Sequence, residues 1–175
     1  MAHVATWQEF EREAPVLAAE ARKNLYEVSI GLGFLATVRR DGGPRVHPVC
    51  PILSPAGLHV LVTPGPKQQD LRRDGRYALH TETCPPPIHE DGCMLTGTAH
   101  EVDDGAVRDV VLDQLRKERE DDELWPSVHT DALFELQIDS CLLMRTLDSP
   151  ELLAGATVWK PVVISRQEPD PPRGG

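Results

Sequence analysis

Between residues 33 and 63, three β-forming runs are separated by turn residues so closely spaced that only a meander of antiparallel strands fits. Gly33-Phe-Leu-Ala-Thr-Val-Arg39 is the first run, and Asp41-Gly42-Gly43 is a hairpin turn of the kind whose twist suits right-handed strands. Arg45 to Leu53 returns as a second strand. Pro48 and Pro51 within it cannot donate ladder hydrogen bonds, so it is expected to be bulged or partly at an edge. Pro55-Ala-Gly57 turns the chain again, and Leu58 to Thr63 forms the third strand.

Helical signals flank this meander. Thr6 followed by Glu9 has capping-box spacing and opens a helical stretch over 7–27, with Pro15 at the start of a second segment. There Val16, Leu17, Ala19, Ala21 and Leu25 make an apolar stripe of helical period. Lys67 to Arg73 reads as a short helix closed by Asp74-Gly75, and Arg76 to Thr81 as the fourth strand. The run Cys84-Pro-Pro-Pro-Ile-His-Glu-Asp-Gly92 is a loop. Met94 to Val102 is the fifth strand, and Asp103-Asp104 caps a helix over 106–119 whose buried side carries Val107, Val110, Val111, Leu112 and Leu115. Leu133 to Asp139 alternates as a final long strand extending toward Arg145, and Trp159 to Ile164 adds an edge strand. Residues 1–165 are therefore expected to form one domain, with 166–175 too polar and rich in Pro and Gly to fold.

Composition restricts partners. The 175 residues suit one core, but aromatics are only 5%, so Val, Leu, Ala and Ile must fill it. Twenty-eight acids against 18 bases give a net charge of -10, which argues against nucleic acid or an anionic membrane as partner. No apolar run reaches the roughly 20 residues of a membrane span. The N-terminus lacks a signal-peptide core, and cysteines 50, 84, 93 and 141 match neither a disulfide framework nor a paired zinc motif, so reduced thiols and a cytoplasmic location are expected. Cys84, His89 and Cys93 are irregularly spaced around three prolines, and no metal site is assigned to them.

The stretch Leu35-Ala-Thr-Val-Arg-Arg-Asp-Gly-Gly-Pro-Arg-Val-His-Pro-Val49, followed by Val62-Thr-Pro-Gly-Pro-Lys67 and Asp70-Leu-Arg-Arg-Asp-Gly-Arg-Tyr-Ala-Leu79, resembles the pyridoxamine 5'-phosphate oxidase-like superfamily. The resemblance covers residues 7 to 145. It implies a mainly β, α+β fold: a six-stranded antiparallel split β-barrel with peripheral helices. It also implies a homodimer that carries its cofactor at the interface. Members bind FMN, the deazaflavin coenzyme or haem. FMN is the cofactor expected here, with deazaflavin as the alternative and haem the less favoured third.

Taken alone, Lys67 reads as a surface lysine and Thr63 as a turn residue. On the family pattern they match phosphate-binding positions, with Lys67 at the start of a helix where charge and dipole favour an anion. Arg45, Val46, His47 and Pro48 match positions that line the isoalloxazine ring. Arg45 or His47 is expected near its N1–C2 edge, where a donor stabilises reduced flavin. Arg72, Arg73 and Arg76 read as an ion-paired surface cluster. No nucleophile elbow, P-loop or dinucleotide-binding fingerprint occurs, and no catalytic acid or base is identifiable. The resemblance points to a flavin- or deazaflavin-dependent oxidoreductase acting on a small conjugated or heteroaromatic substrate. The alternative is a protein that stores or senses flavin or haem without turnover.

Overall fold

A computed structural model describes residues 3–27, 30–81, 92–120, 124, 126–145 and 155–162. The Pro-rich segment, the polar tail and the potential ligands Cys84 and His89 lie outside these. Two helices come first, α1 (Trp7–Glu13) and α2 (Pro15–Leu25). Thr6 and Glu9 form the expected capping box, with Thr6 N donating to the Glu9 carboxylate at 2.8 Å and Glu9 N to Thr6 Oγ1 at 3.3 Å. Trp7 and Phe10 pack edge to face with ring centroids 5.4 Å apart and are buried in the core. The α2 stripe differs from the sequence reading. Ala21 and Leu25 are buried and Leu17 packs against the core as read, whereas Val16 is 75% exposed and Ala18 faces inward in place of Ala19.

The strands are β1 (Gly33–Val38), β2 (Pro44–Val49), β3 (Pro51–Ser54), β4 (Gly57–Val62), β5 (Arg76–Thr81), β6 (Gly92–Glu101), β7 (Ala132–Arg145) and β8 (Gly155–Trp159). Among the described residues this is eight strands rather than six. The expected second strand breaks in two at Cys50, and the expected edge strand at 159–164 is displaced to β8, which pairs with β7. All pairings are antiparallel, in the order β2-β1-β5-β6-β7-β4-β3.

This order explains the barrel. β2 and β3 are the two edges of the path, yet only Cys50 separates them in the chain. The sheet must therefore curl until its edges meet at that residue, leaving a seam instead of a closed ladder. Pro48 and Pro51 flank the seam, where a missing N–H does least harm. A bulge between β6 and β7 adds curvature, with Thr96 opposite Ser140 but Gly97 opposite Ile138. Gly97 is required there, since a Cβ would lie 1.9 Å from the Gln137 carbonyl oxygen.

The barrel interior is filled by Leu35, Leu58, Val60, Leu79, Leu95, Phe134 and Leu136, with Trp7 and Phe10 plugging one end. Cys93 and Cys141 face each other inside it as free thiols, Sγ to Sγ 3.7 Å. A second core lies outside the barrel wall. Here α4 (Gly105–Arg119) covers Ile52 and Leu133 with Val111, Leu112 and Leu115. Asp104 caps α4, accepting from Ala106 N at 2.8 Å, as its sequence suggests. Val110 is 39% exposed and Val107 only partly buried, so the packed stripe is narrower than the apolar pattern. α3 (Pro66–Arg73) lies against β1 and β6. No helix among the described residues is long and apolar enough to cross a membrane.

Candidate functional site

The chain leaves β4 at Val62 and enters α3 within four residues, Thr63-Pro-Gly-Pro66. Two prolines stiffen this connection, and Pro66 takes the first helical turn, where its lack of an N–H costs nothing. Gln68 then fixes it: its buried amide donates to the Val62 carbonyl at 3.1 Å and its oxygen accepts from Arg72 at 2.7 Å. Thr63 and Lys67 are thereby held beside the seam, where Pro48 and Cys50 emerge.

A cavity of about 400 Å³ opens at this point. Its polar lining is Cys50, Thr63, Lys67, Arg119 and Asp131, and its walls include Pro48, Val49, Ile52, Leu61 and Leu115. The volume falls in the usual range for a small-molecule site, as does the pattern of apolar walls with a few convergent polar groups. Lys67 is half-buried and makes no hydrogen bond or ion pair among the described residues. Burial pulls its pKa below the ordinary lysine range, opposed by Asp131 and Cys50. An anion arriving beside Lys67 would offset that desolvation.

Of the six residues singled out by sequence, the cavity gathers Pro48, Thr63 and Lys67. Arg45, Val46 and His47 do not line it. Arg45 donates from Nε to Asp70 Oδ2 at 2.7 Å, Arg73 donates to the other carboxylate oxygen at 3.0 Å, and the Thr37 hydroxyl adds a third contact at 3.4 Å. Asp70 is only 4% exposed. Burial works to raise its pKa, but the hydrogen bonds and charges of Arg45 and Arg73 outweigh this and hold the carboxyl below its usual range. Val46 and His47 are exposed on edge strand β2. The basic cluster is ion-paired as its composition suggests: Arg72 with Glu101, Arg73 with Asp70 and Arg76 with Asp74.

Cys50, Arg119 and Asp131 were not legible as site residues. Arg119 sits in the last turn of α4 and Asp131 just before β7, both far from Lys67 in sequence. Only Cys50 carried a signal, its place between two strand prolines. No three His, Cys, Asp or Glu side chains converge to hold a metal among the described residues.

No sequence-family model and no curated protein matches the chain. Solved structures do. A FAD-binding protein from Mesorhizobium loti superposes with a TM-score of 0.58 at 22% identity, over 74% of this chain and 95% of that one. A protein related to general stress protein 26, of the pyridoxinephosphate oxidase family, from Clostridium acetobutylicum gives 0.57 at 14% identity, over 81% and 92%. The fold is a pyridoxamine-phosphate-oxidase-like split barrel. A haem-binding protein from Mycobacterium smegmatis shares this split barrel with a TM-score of 0.55 at 16% identity, over 79% of this chain. The present chain spans 57% of that protein's length.

Proposed function

We propose that the split barrel binds a phosphate-bearing flavin, FMN or deazaflavin, in the Lys67 cavity and acts as an oxidoreductase on a small conjugated or heteroaromatic substrate. The observation that carries this reading is the convergence of Thr63 and Lys67 on one cavity with apolar walls. The donor set fits the group. A half-buried ammonium, a hydroxyl and an exposed guanidinium suit a phosphate, two cations against the single carboxylate of the lining, Asp131, and Val49, Ile52, Leu61 and Leu115 suit a planar ring.

In this arrangement Lys67 supplies the charge-assisted contact, Thr63 an additional donor, and Arg119 a second cation at the rim. Pro48, Val49 and Cys50 at the seam line the same cavity and would hold one side of a bound ring away from water. The bound ring supplies hydride transfer, and the protein supplies binding and electrostatics. Flavin is favoured over haem because no histidine among the described residues lines the cavity. The working unit in this reading is a homodimer.

An absorption spectrum of the purified protein, followed by titration with FMN, deazaflavin and haemin, tests the assignment. Micromolar binding of a flavin, lost in Lys67→Ala, is the expected result. A Soret band with no flavin affinity would overturn it. Reduction of a quinone or dye by the loaded protein separates turnover from storage.

A further inference from the structure

Gly57 opens β4 at φ 129°, and the space that a side chain would fill there is ringed by polar side chains. A Cβ at this position would lie 3.4 Å from His59 Cε1, 3.6 Å from Glu135 Oε1 and 3.7 Å from Gln8 Oε1. His59 and Glu135 stand opposite each other on β4 and β7, and Gln8 arrives from α1. Each side chain is oriented by a bond from another of its atoms. The Gln8 amide nitrogen donates to the Pro55 carbonyl at 2.9 Å, which leaves Oε1 toward the gap. The Gln137 amide donates to Glu135 Oε2 at 3.2 Å, which likewise leaves Oε1. His59 is only 1% exposed, yet its Nδ1 has no hydrogen-bond partner among the described residues. The hydrogen bond between the ring and the Gly57 backbone therefore falls to Nε2, so Nδ1 carries a lone pair.

All three converging atoms are acceptors, so none of them can satisfy another, whereas one cation satisfies all three. We propose that this cradle binds a divalent first-row metal ion such as zinc through His59 Nδ1, Glu135 Oε1 and Gln8 Oε1, with water completing the shell. One imidazole nitrogen with two oxygens suits zinc, nickel or manganese better than magnesium or calcium, which take oxygen alone. Burial holds the His59 pKa below its ordinary value, so the ring is neutral, the form that ligates a metal. The bonds to Pro55, Gln137 and Gly57 are outer-shell contacts of the kind that fix ligand orientation at metal sites. A bound ion needs about 2.1 Å to each ligand atom. The exposed Gln8 and the partly exposed Glu135 can close inward to reach it, and Gln8 marks the way in from solvent. His100 pairs with Glu135 from β6 but is exposed, so the set is two titratable ligands and one amide, not a trio of His, Cys, Asp or Glu. None of the three ligands lines the Lys67 cavity, so the site stands apart from the flavin reading. A metal here ties α1 to the barrel wall at β4 and β7.

Calorimetric titration of the chelator-treated full chain with zinc chloride, and separately with magnesium chloride, tests this, with thermal unfolding in parallel. The parent is expected to take up one zinc ion per chain with micromolar affinity and to gain thermal stability from it. Glu135→Gln and His59→Phe should each bind zinc at least tenfold more weakly. Gln8→Glu, which brings a second carboxylate to the ion, should bind at least threefold more tightly, and His100→Ala should match the parent. Circular dichroism checks the fold of every variant. Gln8 is exposed, so Gln8→Glu reads the site even where the buried His59→Phe fails to fold. A parent that takes up no zinc overturns the site. Uptake unchanged in both Glu135→Gln and Gln8→Glu, or lost in His100→Ala, places the metal elsewhere. Magnesium bound as tightly as zinc removes His59 from the ligand set.

Discussion

Asp70 and Lys67 lie one turn apart on α3, and the structure treats their charges in opposite ways. Asp70 is buried but bonded by Arg45 and Arg73, so its charge is compensated within the chain. Lys67 is half-buried facing a cavity, and the charges of Asp131 and Cys50 offset its desolvation only in part. Both pKa values are lowered, but with contrary meaning. For a carboxylate the lowering reports a stabilised charge, and for an ammonium it reports a destabilised one. A fully compensated charge belongs to the fold, while a partly compensated one beside a cavity marks where a ligand can complete the partnership.

The largest effect expected on this contrast is at Asp70. Asp70→Ala leaves two guanidiniums facing each other and should cost about 2–3 kcal/mol in urea denaturation, less than a fully buried pair because both arginines reach solvent. A loss under 0.5 kcal/mol would show the network to be incidental. Lys67→Ala should instead weaken flavin affinity by about 1.5–3 kcal/mol in calorimetric titration, the range of a charge-assisted hydrogen bond. Lys67→Met should raise the thermal midpoint of the ligand-free protein, because it removes a desolvated charge. If the midpoint drops, Lys67 is structural and the contrast with Asp70 collapses.

Acid and base should separate the two residues as well. Asp70 has its pKa depressed by folding, so its contribution is present above the unfolded value of about 3.9 and is lost as pH falls through the folded one. Lys67 is also depressed, so the unfolded chain binds its proton more tightly. Stability then rises as pH climbs through the folded value toward about 10.4, while anion affinity falls. Urea midpoints of parent, Asp70→Asn and Lys67→Met across pH 3 to 10 would show each slope vanish in its own variant.

The smallest effect lies at the cavity rim. Glu120 ends α4 in the left-handed region at φ 52°, so Glu120→Gly should stabilise by about 0.5–1 kcal/mol and leave flavin affinity unchanged. A change in affinity would mean that the end of α4 tunes the site through Arg119.

The strand runs, the hairpin at Asp41-Gly42, the Thr6–Glu9 capping box and the Asp104 cap were legible because each depends on neighbours within a few residues. Thr63, Pro66 and Lys67 were legible as a unit for the same reason: turn chemistry and a helix start lie together in sequence. Arg45 shows where such reading ends. Its strand position was clear, but its direction depended on Asp70, which folding brings beneath β1. Arg119 and Asp131 join Lys67 only because β3 and β4 pack under α4, and His59 meets Glu135 and Gln8 only through the register of β4 on β7 and the docking of α1. The sequence by itself determined the elements and their order, since backbone conformation and periodicity are local. Tertiary structure alone decided which charges are compensated and which polar side chains converge, since Coulomb interaction and burial depend on distance in space and not along the chain.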